Sequence, residues 1–283
     1  MSENRLRHPA AVTMFLGTGA FSSKTLLSVA LLRYLSNHGV DAVPYKAVTV
    51  LRDRDIRQSP AMDLGLPHHI LAARVGADPR QCPVVVRQTG PCQGDLHLRG
   101  ERLANVAVPC KDTVDLASLP PGTRDNIVAA AHSAAEHLVS THRHVVVEGA
   151  GSAIVLSADQ DLPNIAVARR LRPAIVLVSE FSGGGAAAAL IGTFQCLPAD
   201  VQTMVRGYVV ANTHESSALH RTMTLVTRTS GIRPLGIIPA NDELAYSDLY
   251  TDSAIDGWAA RLHENVDMEA LLESSLAGAP IAE

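Results

Sequence analysis

The sequence predicts an α/β domain of three layers, with a mostly parallel central sheet and helices on both faces. Short runs rich in Val, Ile and Leu alternate along the chain with longer segments of helical periodicity. Strands that alternate with helices imply right-handed crossovers within a parallel sheet. Apolar residues make up 47% of the chain and aromatic residues only 4%. This bias suits strands that Ala-rich helices cover on both faces.

Seven apolar runs are predicted strands, and six segments between them are predicted helices. The predicted strands are residues 11–17, 42–47, 83–88, 144–149, 173–179, 206–212 and 234–239. The predicted helices are residues 24–38, 61–76, 124–141, 161–171, 184–195 and 216–230. The stretch 83–107 departs from the alternation, because turn residues separate two apolar runs within it, and we expect a hairpin or an edge extension there.

The chain is predicted to divide into a flexible leader at residues 1–10, the α/β domain at residues 11–240 and a helical C-terminal appendage at residues 241–283. Trp258 and Leu262 are the expected anchors of the appendage. The four cysteines lack CxxC spacing, no signal peptide precedes them, and no apolar run approaches the roughly 18 residues that span a bilayer. We therefore expect a cytoplasmic protein that has no contact with a membrane.

Neither the net charge nor the distribution of histidines indicates a nucleic-acid-binding surface or a metal site. A formal net charge of -4 gives no electrostatic reason to expect a nucleic-acid partner. The histidines are scattered along the chain, and the adjacent pair His68 and His69 is predicted to lie on a helix surface rather than at a metal site.

The first predicted strand leads into a loop of small residues that ends in Lys24 and Thr25, directly before an apolar helix. In such a layout backbone N–H groups hold phosphate oxygens, Lys24 neutralises their charge, and the hydroxyl of Thr25 reaches Mg²⁺. The loop is one residue longer than in the common GxxxxGK(S/T), and Ser23 replaces the usual glycine, so an ordinary strand–helix turn stays an alternative. The predicted nucleotide-binding residues of the loop are Gly17, Thr18, Gly19, Ser22, Ser23, Lys24 and Thr25.

A second motif, EGAGS at residues 148–152, follows the strand candidate VVVE. A carboxylate at the carboxyl end of a strand, followed by two glycines, lies where open α/β sheets bind ligands. Glu148 is therefore a predicted metal ligand, expected near solvent, that reaches a nucleotide-bound metal directly or through water. A strand-end acid in a glycine-rich turn is the alternative.

These motifs resemble those of the synthetase domain of cobyric acid synthase and of dethiobiotin synthetase, which are P-loop enzymes. The resemblance covers roughly residues 12–240 in unbroken order. It implies ATP- and Mg²⁺-dependent formation of an acyl or carbamoyl phosphate, which an amine or another nucleophile then resolves. The supporting segments are residues 44–47 (PYKA), 161–164 (DLPN), 184–185 (GG), 192–193 (GT), 209–212 (VVAN) and 236–239 (GIIP).

The resemblance also implies roles for residues outside the two motifs. Lys46 would stabilise the phosphoryl group during transfer, Asp63 would be a second metal-linked acid, and Asn212 would contact the base. A solvated acid before a helix stays an alternative for Asp63, and asparagine also simply terminates strands. The remaining implied residues are Pro239 for the nucleotide and Gly151, Ser152, Gly183 and Gly184 for the substrate.

Two departures from the family suggest a different substrate and nitrogen source. Residues 180–185, EFSGGG, stand where the family has Asp-Ile-Asp-Arg-Gly-Gly, so we expect a small-molecule carboxylate that is not a corrinoid. The family's glutaminase domain has no counterpart within this sequence, and nitrogen would come from a separate glutaminase, free ammonia or an amine on the substrate.

Relatives of this fold often bind substrate where two subunits meet, which implies a homodimer. Two other functions stay open at this point. One is a degenerate nucleotide-binding partner or regulatory subunit. The other is a ParA/MinD-like switch ATPase, although residues 18–20 lack the additional lysine of that class.

Overall fold

The computed structural model describes residues 10–20, 22–52, 63–110, 113–181, 185–214, 216–240 and 251–277. The strands are β1 (Ala11–Gly17), β2 (Ala42–Tyr45), β3 (Val48–Leu51), β4 (Val84–Gly90), β5 (Gln93–Leu98), β6 (Glu101–Cys110), β7 (Thr113–Asp115), β8 (His144–Glu148), β9 (Ala174–Glu180), β10 (Val205–Thr213) and β11 (Pro234–Pro239). The α-helices are α1 (Lys24–Asn37), α2 (Pro67–Ala73), α3 (Pro121–Thr141), α4 (Val167–Leu171), α5 (Ala186–Cys196), α6 (Ala199–Gln202), α7 (Ser217–Ser230), α8 (Asp252–Asn265) and α9 (Met268–Ala277).

Six strands form a parallel central sheet in the order β11-β10-β9-β1-β8-β2. β1 lies inside the sheet, where Phe15 is opposite Glu148 of β8 on one side and Val176 of β9 on the other. The segments that follow β1, β8 and β9 therefore meet at one edge of the sheet, where ligands of open α/β sheets bind. The predicted α/β class with a mostly parallel sheet is confirmed.

Helices cover both faces of the central sheet. Along β1, Met14 and Leu16 pack in one core cluster and Phe15 in the other, because successive side chains of a strand point to opposite faces. The first cluster is completed by α3, α4, α5 and α7, and the second by α1, α2, α8 and α9. The predicted three layers are therefore present.

A second sheet of five strands, in the order β3-β4-β5-β6-β7, adjoins the central one. β3 and β4 pair in parallel, and the other pairs are antiparallel. The hairpin predicted within residues 83–107 is confirmed as β4 and β5. The strand predicted at residues 42–47 is present as β2 but ends at Tyr45, and the prediction missed β3, where the chain enters the second sheet at Val48. An apolar run does not indicate which sheet it joins.

The C-terminal helix α8 packs on α1, the helix that follows the small-residue loop. Arg33 of α1 is fully buried, and its guanidinium lies 2.5 Å from the carboxylate of Asp252 and 3.6 Å from that of Asp256 on α8. Trp258 and Leu262, the predicted anchors, are both buried. The position of α1 is thereby coupled to the docking of α8.

The predicted boundaries of the leader and the appendage stay predictions. Residues 1–9, 241–250 and 278–283 lie outside the described part of the chain. In the part that is described, no helix combines the length and the apolar content that crossing a bilayer requires.

The contact between β11 and the end of α8 predicts a stability difference between two glycine variants. A Cβ at Gly236 would overlap the backbone carbonyl of Asn265, which cannot turn away as a side chain could. We therefore expect Gly236→Ala to lower the free energy of unfolding by about 2 kcal/mol, measured by urea denaturation. Gly192→Ala in α5 is the matched control, because its added methyl group meets nothing within 4 Å and alanine favours helices by about 1 kcal/mol. Equal stability of the two variants would contradict the prediction.

Candidate functional site

The loop between β1 and α1 closes around the amino group of Lys24. This amino group donates to the backbone carbonyl of Gly19 at 3.0 Å and to that of Gly151 at 2.9 Å, and the residue is only 5% exposed. A Cβ at Gly17 would overlap the hydroxyl of Ser22 and lie 2.6 Å from Lys24 Nζ. The loop is therefore closely wrapped around its lysine, and its phosphate-binding role stays a prediction.

Ser23 stands where the common phosphate loop has a glycine. It adopts the left-handed conformation that glycine favours, with φ 64° and ψ 19°. For other residues this conformation costs roughly 1–2 kcal/mol. The hydroxyl of Ser23 donates to Glu180 Oε1 at 2.6 Å, which offsets part of that cost. Ser23 therefore forms the glycine-like turn and is held in it by the end of β9.

The carboxylate of Glu148, at the end of β8, accepts hydrogen bonds from four side chains. Its Oε1 accepts from the hydroxyl of Thr25 at 3.0 Å and from the amino group of Lys46 at 2.7 Å. Its Oε2 accepts from the hydroxyl of Ser28 at 2.9 Å and lies 2.7 Å from His69 Nε2. The structure thus brings together three residues that the sequence predicts for the site, Thr25, Lys46 and Glu148.

Glu148 is 2% exposed, so the expectation that it lies near solvent is wrong. Burial raises the pKa of its carboxyl group, but the charges of Lys46 and His69 and their hydrogen bonds outweigh burial. The resulting pKa lies well below the ordinary value. The carboxylate is therefore ionised at neutral pH despite its burial.

Thr25 and Glu148 are the predicted metal ligands that lie together. A carboxylate and a hydroxyl oxygen suit Mg²⁺, which is usually held by one or two carboxylates together with substrate phosphates and water. Among the residues that the structure describes, no group of three or more His, Cys, Asp or Glu side chains is arranged to hold a metal ion. The donor set therefore fits a Mg²⁺ ion that relies on nucleotide phosphates for part of its coordination.

Asp63, the third predicted metal ligand, is not brought to this pair. Its carboxylate accepts from Arg87 Nη2 at 3.0 Å, and its side chain is 61% exposed. Both residues line a cavity of about 290 Å³ beside the second sheet, together with the apolar side chains of Leu64 and Val85. These contacts favour the alternative reading of Asp63 as a solvated acid that precedes a helix.

The segment after β8 lies against the loop that holds Lys24. Gly151, with φ 60°, presents its carbonyl to Lys24. The hydroxyl of Ser152 donates to the backbone carbonyl of Thr18 at 3.3 Å. The predicted substrate residues Gly151 and Ser152 therefore adjoin the predicted phosphate loop.

Two buried side chains fix the conformation of that segment. Asn164 pairs with both backbone groups of Ala150, donating to its carbonyl at 2.9 Å and accepting from its amide at 3.1 Å. Asp161 accepts from the backbone and the side chain of Asn164, and burial raises the pKa of Asp161 to about 6. Asp161 and Asn164 thus act on the site through the shape of the backbone.

The other predicted residues lie farther along the sheet edge or outside the described chain. Asn212 is exposed near the end of β10, with φ 54°, and Pro239 ends β11, opposite Thr213. Their contact with a nucleotide base stays a prediction. Gly183 and Gly184 lie outside the described residues, and their substrate role also stays a prediction.

The sequence-based prediction omits two residues of the site, Ser28 and His69. The prediction that His69 lies on a helix surface is wrong, because it is 3% exposed and contacts Glu148. Ser28 follows Thr25 by one helical turn, and this spacing alone places both hydroxyls on one face of α1. The sequence signal for His69 is weaker. His69 lies one helical turn after the buried Leu66, and therefore on the apolar side of α2.

Several cobyric acid synthases are similar to this chain in sequence. The probable cobyric acid synthase of Archaeoglobus fulgidus is 30% identical over 248 residues, which cover 86% of this chain and 51% of that protein. The enzyme of Methylibium petroleiphilum is 32% identical over 73% of this chain and 40% of its own length. That of Syntrophobacter fumaroxidans is 27% identical over 92% of this chain and 49% of its own length. The chain thus spans about half the length of the curated relatives it matches.

A family profile described as an AAA domain matches residues 117–247. Among solved structures, a ParA family ATPase from Chlorobium tepidum aligns with 96% of this chain and 98% of that chain, with a TM-score of 0.46 and 12% identity. The chloroplast FtsY of Physcomitrella patens covers 97% of this chain and 69% of its own, with a TM-score of 0.48. Likeness at this level carries no argument about function.

The lowered pKa of Glu148 predicts a pH-dependent contribution to stability. This contribution is fully present above the ordinary carboxyl pKa of 4.5 and is lost as the pH falls through the lower pKa of the folded state. Glu148→Gln removes the buried negative charge that Lys46 Nζ and His69 Nε2 each approach at 2.7 Å. We therefore expect the free energy of unfolding at pH 7 to fall by about 3 kcal/mol, and the difference from the wild type to shrink in acid. Urea denaturation at neutral pH and at several acidic pH values measures both effects.

Asp200→Asn is the control for this prediction. The pKa of Asp200 is also lowered, by its hydrogen bond to Arg169, but both side chains are largely exposed. Surface pairs contribute little to stability, so we expect a much smaller loss. Equal losses in the two variants would show that the buried carboxylate has no special role.

Proposed function

The chain is related over most of its length to the cobyric acid synthases, and on this premise we propose that it is an ATP- and Mg²⁺-dependent ligase. In this proposal it activates a small-molecule carboxylate, or a carbamate, as an acyl phosphate for C–N bond formation. The observation that carries the proposal is the convergence of Thr25, Lys46 and Glu148 beside a loop wrapped around Lys24. Two of the chain's three lysines, Lys24 and Lys46, therefore lie at this site.

The first step of the proposal concerns the phosphates of ATP. The loop from Gly17 to Ser23 presents backbone N–H groups to phosphate oxygens, and the N-terminus of α1 adds its partial positive charge. Lys24 neutralises the phosphate charge. The carbonyls that its amino group contacts, those of Gly19 and Gly151, hold this ammonium group between the loop and the segment after β8.

The second step concerns the metal. Thr25 Oγ1 and Glu148 Oε1 are 3.0 Å apart and would hold Mg²⁺ together with phosphate oxygens. When bound, the ion neutralises charge on the phosphates and aligns the terminal phosphoryl group for transfer. Asp63 has no part in this proposal, because its carboxylate is paired with Arg87.

The third step is the chemistry. A carboxylate oxygen of the substrate attacks the terminal phosphorus of ATP, the bond from that phosphorus to the bridging oxygen breaks, and ADP leaves with the electron pair. A nitrogen nucleophile then attacks the acyl carbon and displaces phosphate. Lys46 stabilises the phosphoryl group in flight, since phosphoryl transfer depends mainly on positioning and charge neutralisation. Its ammonium group is 2.7 Å from Glu148 and its side chain is 14% exposed, so it borders the site.

The substrate side of the proposal rests on the segment after β8. Gly151 and Ser152 adjoin the phosphate loop, and we assign to them, with Gly183 and Gly184, the contacts to the acid. The replacement of two charged family residues within 180–185 favours an acid other than a corrinoid. Nitrogen comes from a separate glutaminase, free ammonia or an amine on the substrate, and a homodimer completes the site.

A degenerate partner subunit is the second candidate, motivated by the charged family residues that residues 180–185 lack and by Ser23 in place of glycine. The geometry weakens the second of these motivations, because Ser23 adopts the glycine-like conformation with a hydrogen bond to Glu180. A switch ATPase of the ParA type has no specific contact in its favour. The ligase proposal is therefore preferred.

The proposal predicts that Lys24→Ala abolishes ATP-dependent activity and leaves the fold intact. Loss of the phosphate-neutralising charge should reduce ADP formation by about 100-fold or more, which corresponds to about 2.7 kcal/mol. ADP release is measured with Mg²⁺ across a panel of small carboxylic acids, and circular dichroism monitors the fold. Lys111→Ala, which changes the chain's third lysine, is the control and should retain activity.

Two results would contradict the proposal. One is a wild-type protein that binds neither ATP nor ADP in the presence of Mg²⁺ by isothermal titration calorimetry. The other is equal ADP release from the Lys24 and Lys111 variants. The first result would favour the degenerate partner.

A further inference from the structure

The two oxygens of the Glu148 carboxylate have different surroundings. Oε1 contacts Thr25 and Lys46, which the proposed function assigns to the metal and the phosphoryl group. Oε2 contacts Ser28 and His69, which have no role in that proposal. One oxygen thus faces the reaction and the other faces the packed side of α1 and α2.

The hydrogen bond from His69 to Oε2 has a defined direction. A carboxylate oxygen only accepts, so the proton lies on His69 Nε2, 2.7 Å from Oε2. This distance is typical of a bond to a charged acceptor. His69 Nε2 also lies 2.9 Å from the hydroxyl of Ser28, which is itself 2.9 Å from Oε2. His69 Nε2, Ser28 Oγ and Glu148 Oε2 therefore form a compact triangle with sides of 2.7 to 2.9 Å.

The fold holds His69 in place for this contact. His69 and Ser28 are both buried, so solvent does not replace the donor. Helix α2 packs against α1, and the guanidinium of Arg33 donates to the carbonyl of Leu71 across that contact at 3.1 Å. Among the described residues, His69 Nδ1 is buried and has no hydrogen-bond partner. The ring is therefore oriented by its Nε2 contacts and by packing alone.

We infer that His69 is a positioning residue for the metal ligand Glu148. Together with Ser28 it fixes Oε2, so that the carboxylate keeps Oε1 directed at Thr25. Glu148 would then offer Oε1 to the ion, next to the hydroxyl of Thr25. The inference rests on the proposed function, because it presumes that Thr25 and Glu148 hold Mg²⁺.

Two amide variants of His69 test this role. The side-chain nitrogen of glutamine can occupy the position of His69 Nε2, so His69→Gln retains the donor. Asparagine carries the same amide on a shorter side chain that does not reach Oε2, so His69→Asn loses the donor but keeps the polarity. The affinity for ADP is measured by isothermal titration calorimetry with Mg²⁺ and with a chelator, and the Mg²⁺ concentration for half-maximal ADP release is measured in parallel.

We expect His69→Asn to weaken Mg²⁺-dependent ADP binding by about 10-fold or more and to raise the Mg²⁺ requirement of turnover similarly. Binding of ADP in the chelator should stay within about 2-fold of the wild type, since the phosphate loop is unchanged. His69→Gln should resemble the wild type in all three measurements. Ser28→Ala, which removes the other donor to Oε2, should shift Mg²⁺ dependence in the same direction as His69→Asn.

The outcomes separate this inference from the proposed function. If the wild type binds ADP with Mg²⁺ and His69→Asn has the same Mg²⁺ dependence, the positioning role is wrong and the proposed function stands. Loss of thermal stability in both His69 variants without a shift in Mg²⁺ dependence would likewise assign His69 to packing alone. If the wild type fails to bind nucleotide with or without Mg²⁺, the proposed function fails and the inference fails with it.

Discussion

A buried carboxylate with four hydrogen-bond donors joins the parts of this molecule that form its site. The donors to Glu148 come from α1, from α2 and from the link between β2 and β3. Because a buried charge that loses a partner destabilises a protein by several kcal/mol, these segments must dock together for the carboxylate to remain ionised. The loop around Lys24 leads directly into α1, so its shape depends on the same docking. The docking of these segments therefore determines both the geometry of the site and the stability of the fold.

The central sheet could be predicted from sequence because each of its strands is a short apolar run separated from the next by a recognisable helix. Of the second sheet, only the hairpin of β4 and β5 could be predicted, and the place of β3 in it could not. Val48–Leu51 continues the apolar pattern of β2 almost without a break, and nothing local indicates that Val48 pairs with Val84 while Tyr45 pairs with Val147. Pairing over such distances is decided by tertiary packing, for which the sequence carries no local signal.

The site was predictable where a motif is tied to an element boundary. Thr25 begins a helix and Glu148 ends a strand, and the topology of the sheet brings those boundaries to one edge. Asp63 precedes α2 and pairs with Arg87 of the second sheet, whereas His69 lies on α2, whose rotation about its axis decides whether the imidazole reaches Glu148. That rotation is set by the packing of α2 on α1 and the second sheet. The sequence therefore suggested the acid, whereas the fold places the histidine at the carboxylate.

The two faces of the second sheet have different surroundings, and substitutions on them should therefore differ in their cost to folding. Val84, Val86 and Leu96 point into the core that they share with the central sheet, whereas Arg87 and His97 line the outer cavity. Mutations on the inner face would disturb the whole core, but those on the outer face leave the pairing of β1 with β8 untouched. The polar part of the outer face, around Arg87 and His97, thus tolerates substitution at little cost to folding, whereas Leu51 and Val85 on the same sheet pack against the segment of Leu66 and Ile70 that carries His69.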